Sequence, residues 1–307
     1  MDKKNKVVLI GCGNVGMSFC YALLNQKTNV DELALIDLNT GRVAGEVMDL
    51  NHGMPFGPSK FLIKAGTYED CRDASLIVLS AGVNQKDGET RMDLLKKNNT
   101  IFKGIIGEVM KNGFQGIFLV ATNPVDVMTY ITFKESGLPS ERVVGSGTTL
   151  DTARLRHKLS KKLKINSKNI HAYVIGEHGD SEMVPWSTVT LGPEPIERFI
   201  SKETMNEVSK EVKEAAYEII NRKGSTHYGI GMCLVRITNA ILGNENSILT
   251  LSSYDITNDM YIGMPTIIDR SGVVGRIPLK INDEEKEELF KSMRVVKGAI
   301  EELKNQS

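Results

Sequence analysis

The segment VIGEHGDSEMVPWS (174–187) places His178 just after a short apolar run. The chain has five histidines: His52, His157, His171, His178 and His227. Any one of them is more often structural or exposed than catalytic. His178 differs because a strand end can hold an imidazole rigidly at a cleft, where it exchanges a proton near neutral pH. A histidine in that role needs an orienting acid. In LDTARLR (150–156), Asp151 and Arg154 stand three residues apart and share one face of a helix. Two readings are open. The pair is an ordinary intrahelical ion pair. Alternatively, Asp151 accepts an imidazole N–H from His178, and Arg154 clamps a substrate carboxylate bidentately, as a lysine cannot.

A second constellation suits a nucleotide. GCGNVG (11–16) has the form G-x-G-x-x-G, with Gly11, Gly13 and Gly16. On its own this is also a plain strand–turn–helix corner. Here an apolar run precedes it and a helical pattern, VGMSFCYALL, follows. The glycines then allow a tight turn, backbone approach to a pyrophosphate and close helix packing, with free N–H groups at the helix start. Asp37 ends the next apolar run, 21 residues past Gly16. An acid there accepts hydrogen bonds from ribose hydroxyls and repels a 2′-phosphate, so NAD is expected over NADP.

The elements that must position these groups are legible as patterns. KVVLIG (6–11), ELALID (32–37), SLIVLSA (75–81) and GIFLVAT (116–122) are almost continuously apolar. Strands of that kind are covered on both faces, as in a parallel sheet. Helical patterns near 14–26, 41–50 and 91–111 lie between them, which predicts a doubly wound α/β fold. In the second half the pattern predicts a helix over 149–163 and a strand over 171–177, HAYVIGE. A long helix follows, from Ser201 as N-cap to Gly224 as stop, then another over 228–242. Strands are expected near 247–256, 259–269 and 272–279, and a last helix opens with NDEEKEEL. The reading is a Rossmann domain over 1–147 and an α+β substrate domain over 148–307.

Composition narrows the class. The chain has 307 residues, with 38 Lys plus Arg against 38 Asp plus Glu, so nothing suggests a nucleic-acid partner. Cys12, Cys20, Cys71 and Cys233 form no C-x-x-C pair, so neither a disulfide scaffold nor a zinc site is expected. No apolar run approaches a membrane span, and MDKKNKVVLIGCG runs straight into the glycine motif, unlike a secretory leader. A cytoplasmic enzyme is expected.

The sequence resembles the lactate/malate dehydrogenase family. The resemblance is carried by GCGNVG, ALID, NQKDGETR (84–91), ATNPVD (121–126), LDTAR, GEHGDSE and KGST (223–226), in family order along essentially the whole chain. It implies that His178 is the proton donor and acceptor, Asp151 its partner and Arg154 the carboxylate clamp. Arg91 would polarise the substrate carbonyl, carried in by closure of the 82–91 loop. Gln85, Asn123, Asp126 and Thr226 match substrate-site positions. Val15, Arg42, Tyr68, Gly82, Val83, Ala121, Asn123 and Ser146 match nucleotide contacts, beside the glycines and Asp37.

The resemblance also bears on substrate and control. The position of Gln85 is Gln in the lactate enzymes of the family and Arg in the malate enzymes. A neutral amide leaves a second carboxylate without a counter-charge under the closed loop, so pyruvate is expected over oxaloacetate. A bulkier 2-oxo acid, as in hydroxyisocaproate dehydrogenases, stays open. Arg156 and His171 match positions that bind fructose 1,6-bisphosphate between the subunits of bacterial homotetramers. Two departures stand out: Ser225 where many relatives carry Tyr, and Asp87 where Pro is common.

Overall fold

The computed structural model describes residues 4–83 and 91–305. Gln85 lies outside the described residues, as does the Arg91 side chain. The first half builds β1 (Lys6–Ile10), α1 (Asn14–Leu24), β2 (Glu32–Ile36), α2 (Thr40–Gly53), β3 (Leu62–Ala65), β4 (Leu76–Leu79), α3 (Arg91–Lys111), β5 (Ile117–Val120), α4 (Val125–Ser136) and β6 (Val143–Gly145). The parallel strands run in the order β3-β2-β1-β4-β5-β6, so the chain reverses direction across the sheet between β1 and β4. Cofactors of open α/β sheets bind at such a reversal, beyond the carboxyl ends of the strands.

Strand alternation explains why both faces are covered. Val7, Leu9, Leu33, Leu35, Leu76 and Val78 point to one side and pack with Phe19 and Leu23 of α1. Val8, Ile10, Ala34, Ile36, Ile77 and Leu79 point to the other and meet Phe102 and Ile106 of α3. Each strand therefore reads as an unbroken apolar run although its side chains alternate.

The second half adds α5 (Thr149–Leu163), β7 (Ile170–His171), β8 (Thr190–Leu191), β9 (Glu194–Pro195), α6 (Lys202–Lys223), α7 (Tyr228–Leu242), β10 (Ser247–Asp255), β11 (Met260–Asp269), β12 (Gly272–Arg276) and α8 (Asp283–Lys304). Ser252 of β10 pairs antiparallel with Gly145 of β6, so β10, β11 and β12 extend the first sheet to nine strands. The Ser201 side chain accepts from the Thr204 N–H, and Gly224 ends α6 at φ +83°. Asn282 and Glu285 cap α8 reciprocally.

The expected strand over 171–177 is a correction. Only Ile170 and His171 form a ladder, and Ile175 and Gly176 make isolated bridges. Between them the backbone turns to α5: Arg156 Nε donates to the Ala172 carbonyl, the Val174 N–H to Thr152 Oγ1, and Thr148 Oγ1 to the Val174 carbonyl. Side chains of the helix replace a neighbouring strand. The 170s segment is thus bolted to the helix that carries Asp151 and Arg154.

Candidate active site

Two corners of the fold converge at the carboxyl ends of the strands. At the first, β1 passes through Gly11 to α1. Gly11 has φ +104°, and a Cβ there would lie 2.4 Å from the Ala81 nitrogen. A Cβ on Gly16 would lie 2.1 Å from the Gly11 carbonyl oxygen. Only glycine lets helix, turn and neighbouring strand approach this closely. Gly13 has open space where its Cβ would be, and α1 starts there without a side-chain cap. Its first N–H groups are therefore available to phosphate oxygens.

Asp37 follows β2 and orders the loop. Its Oδ2 accepts the Cys12 N–H at 2.8 Å and its Oδ1 the Asn39 N–H at 3.0 Å. It is half-buried, and its carboxylate keeps lone pairs for ribose hydroxyls. Val15 and Tyr68 are half-buried near this corner; Arg42 is exposed and ion-paired with Glu46 at 3.2 Å. These groups fit NAD.

Beyond β4 and β5 the next turns are tied by a residue the motifs did not flag. Asn98 of α3 is 1% exposed; its Oδ1 accepts the Val83 N–H at 2.9 Å and its Nδ2 donates to the Asn123 carbonyl at 3.4 Å. Thr122 Oγ1 donates to the Ala81 carbonyl at 2.7 Å. Gly82, Val83, Ala121 and Asn123 are thereby held side by side. The Asn123–Pro124 peptide is cis. Ser146 is buried, and its N–H bonds the Val120 carbonyl.

The second corner holds the titratable groups. His178 Nδ1 lies 2.6 Å from Asp151 Oδ2, and Arg154 Nη1 lies 2.7 Å from Asp151 Oδ1. The intrahelical pair of LDTARLR thus forms, and its acid also meets the imidazole. The Asp151 side chain is 1% exposed and that of His178 23%. Burial disfavours the imidazolium, but the Asp151 charge and hydrogen bond outweigh it and raise His178 to about 9. Burial likewise opposes charge on Asp151, yet His178 and Arg154 hold it below the usual carboxylate range.

Asp126 bonds the backbone of the same histidine. It is 2% exposed; its Oδ2 accepts the His178 N–H at 2.8 Å and its Oδ1 the Ser252 hydroxyl at 2.5 Å. Burial pushes it up to about 6 against those two bonds. It anchors the backbone of the histidine loop. Glu182, which sequence patterns did not single out, is buried with a carboxyl oxygen within 4.8 Å of Asp151 and His178.

The remaining expected residues lie on two further surfaces. Thr226 is half-buried in the turn between α6 and α7, beside Ser225, whose hydroxyl bonds His227 Nδ1 at 2.9 Å and meets Asn14 Nδ2 at 3.5 Å. That turn therefore closes on the start of α1. Arg156 is half-buried, with its guanidinium 5.4 Å from the Tyr173 ring centre, and His171 is exposed next to the Ala172 carbonyl that Arg156 binds.

A glycine corner shaped for a pyrophosphate, set beside a buried histidine–aspartate pair with an arginine, defines a nicotinamide-dependent oxidoreductase. Comparison with known proteins makes this specific. Residues 5–145 match the lactate/malate dehydrogenase NAD-binding domain, and residues 148–307 match the α/β C-terminal domain of the same family. The chain belongs to the lactate/malate dehydrogenase family and is an NAD-dependent 2-hydroxy acid dehydrogenase. It is 52% identical to an L-lactate dehydrogenase of Bacillus pumilus over 97% of this chain and 98% of that one. A lactate dehydrogenase from a Medee basin deep-sea metagenome library superposes with a TM-score of 0.94 at 50% identity, covering 97% of this chain and 98% of its own. The ligand-bound minor L-lactate dehydrogenase of Enterococcus mundtii also gives 0.94, at 46% identity and 98% of both chains.

Proposed function

We propose that this enzyme interconverts pyruvate and L-lactate, with His178 as the proton donor and acceptor. The observation that carries the reading is the buried Asp151, bonded at once to His178 and Arg154. Bound NADH supplies a hydride to C2 of the oxo acid. As charge grows on the carbonyl oxygen, protonated His178 donates to it from Nε2, the nitrogen that Asp151 leaves outward. Asp151 fixes the tautomer and supports the imidazolium. Arg154 grips the substrate carboxylate so that C2 is presented in one orientation. Arg91 adds positive charge at the carbonyl oxygen. In the reverse direction neutral His178 accepts the hydroxyl proton.

Gln85 selects the acid. It supplies no cation for a second carboxylate, and L-lactate dehydrogenase relatives at about half identity agree with pyruvate as substrate. Replacing Gln85 with Arg is expected to move the ratio of kcat/KM from pyruvate towards oxaloacetate by roughly a hundredfold or more, as one buried unpaired charge implies. NADH oxidation with pyruvate, oxaloacetate and 2-oxoisocaproate reads this; a ratio unchanged by Q85R would remove Gln85 from the specificity account.

Fructose 1,6-bisphosphate is the proposed activator, bound by Arg156 and His171 between subunits of a homotetramer. A guanidinium suits a phosphate, and an exposed imidazole can add a further hydrogen bond to it. The sugar bisphosphate should raise the rate at limiting pyruvate in the unmodified enzyme and do little in Arg156→Gln. Equal activation of both would refute the site. A cytoplasmic location accords with four free, buried cysteines, and no helix among the described residues is long and apolar enough to cross a membrane.

A further inference from the structure

The histidine loop closes on itself: Ile175 pairs with Met183, and Glu182 directly precedes that pair. Its N–H bonds the Gly179 carbonyl at 3.2 Å, and the residue is only 3% exposed. One side-chain oxygen each from Asp151 and Glu182 and one ring nitrogen of His178 lie within 4.8 Å of one another. Asp151 already accepts from Arg154 and His178, and the Glu182 carboxyl lies against it. Two carboxylates this close and this dry cannot both be ionised without strong repulsion; a proton between them turns the contact into a hydrogen bond. Asp151 has a cation on one oxygen and the imidazole on the other, so the proton belongs on Glu182.

We propose that Glu182 is protonated at neutral pH, donates a hydrogen bond to Asp151, and thereby sets the charge balance of the Asp151–His178 pair as a positioning residue. This rests on His178 being the proton donor. The groups facing the cluster are Asp151 and Arg154 from α5, His178 and Glu177 from the loop, Asp126 from α4, Lys213 from α6 and the buried Cys233 thiol from α7. Burial chiefly, and then the Asp151 charge, raise Glu182 to about 9, close to His178, so the two share their protons in coupled steps. The sign follows. When Glu182 loses its proton, a second negative charge appears beside His178, which then holds its own proton to higher pH. A neutral Glu182 withholds that support, so the imidazolium gives up its proton at a lower pH than it would beside two ionised carboxylates.

The test uses Glu182→Gln, which keeps a neutral donor of the same size but never ionises. The alkaline fall of kcat/KM for pyruvate reduction should move down by at least about one pH unit in E182Q, the tenfold change in proton affinity that a close buried charge exerts. The low-pH plateau should stay within about threefold of the unmodified enzyme, since the hydrogen bond survives. A merely structural role would lower the plateau and leave the fall in place, which would overturn the proposal. Infrared spectra of the unmodified enzyme at pH ~8, between the values of Asp126 and Glu182, should show a protonated-carboxyl band that vanishes as pH rises further. Its absence overturns the proposal even if E182Q fails to fold. His178→Gln runs alongside. If H178Q keeps full activity, the proton-donor reading itself falls; if H178Q is inactive but the E182Q profile does not move, only the Glu182 inference falls.

Discussion

His178→Gln is expected to lower kcat for pyruvate reduction by roughly 10³-fold, the effect of losing a positioned general acid. Binding of NADH should be little changed, because the glycine corner and Asp37 lie on separate elements from the histidine loop. The size follows from the burial of its partner: with the Asp151 side chain 1% exposed, water is poorly placed to substitute for the imidazole. The unmodified enzyme should also show the sign of its proton transfer. His178 is raised to about 9, so reduction, which needs the imidazolium, is favoured below that pH and falls above it. Oxidation of the hydroxy acid, which needs the neutral ring, should rise over the same interval. Steady-state rates in both directions across the pH range check this, and a reduction rate that climbs with pH would contradict it.

Arg154→Gln is expected to cost kcat/KM for pyruvate between roughly a hundredfold and a few thousandfold, from the ~3–5 kcal/mol lost when one member of a buried charged pair is removed. Most of the loss should appear in KM, because the carboxylate is gripped before and during the reaction alike. Arg154→Lys should recover only part of it, since an ammonium lacks the planar fork that meets both carboxylate oxygens. A second consequence separates this from simple misfolding. Asp151 loses its cation, so its full charge acts on His178 and the alkaline limit of reduction should shift upward. A variant with normal KM would show that the substrate carboxylate is held elsewhere.

The parallel strands were legible because burial on both faces leaves no polar position to break the pattern. Glycine spacing and Asp37 were legible because close backbone approach and ribose recognition each demand one residue type. Other features were hidden for physical reasons. Helix α4, VDVMTYITFKES, was not anticipated: residues 125–132 are all buried, so no polar face betrays the helical period. Strand β3 is short, with partly exposed side chains, and carries little signal. The supposed strand over 171–177 fails because α5 side chains satisfy its backbone, a tertiary fact with no local signature. Asn98 and Glu182 act through contacts across 15 and 31 residues of sequence, and the bond from the His178 N–H to Asp126 spans 52, which no short motif displays. The spacing of LDTARLR did place Asp151 and Arg154 on one face, but only the fold shows Asp151 serving two partners at once.

The most direct test of the central claim is the kcat/KM of the unmodified enzyme for pyruvate and for oxaloacetate, each with NADH. A buried dicarboxylate without a counter-charge should be disfavoured by roughly two orders of magnitude or more, so pyruvate should be strongly preferred. Preference for oxaloacetate, or failure to oxidise NADH with pyruvate, would contradict the account.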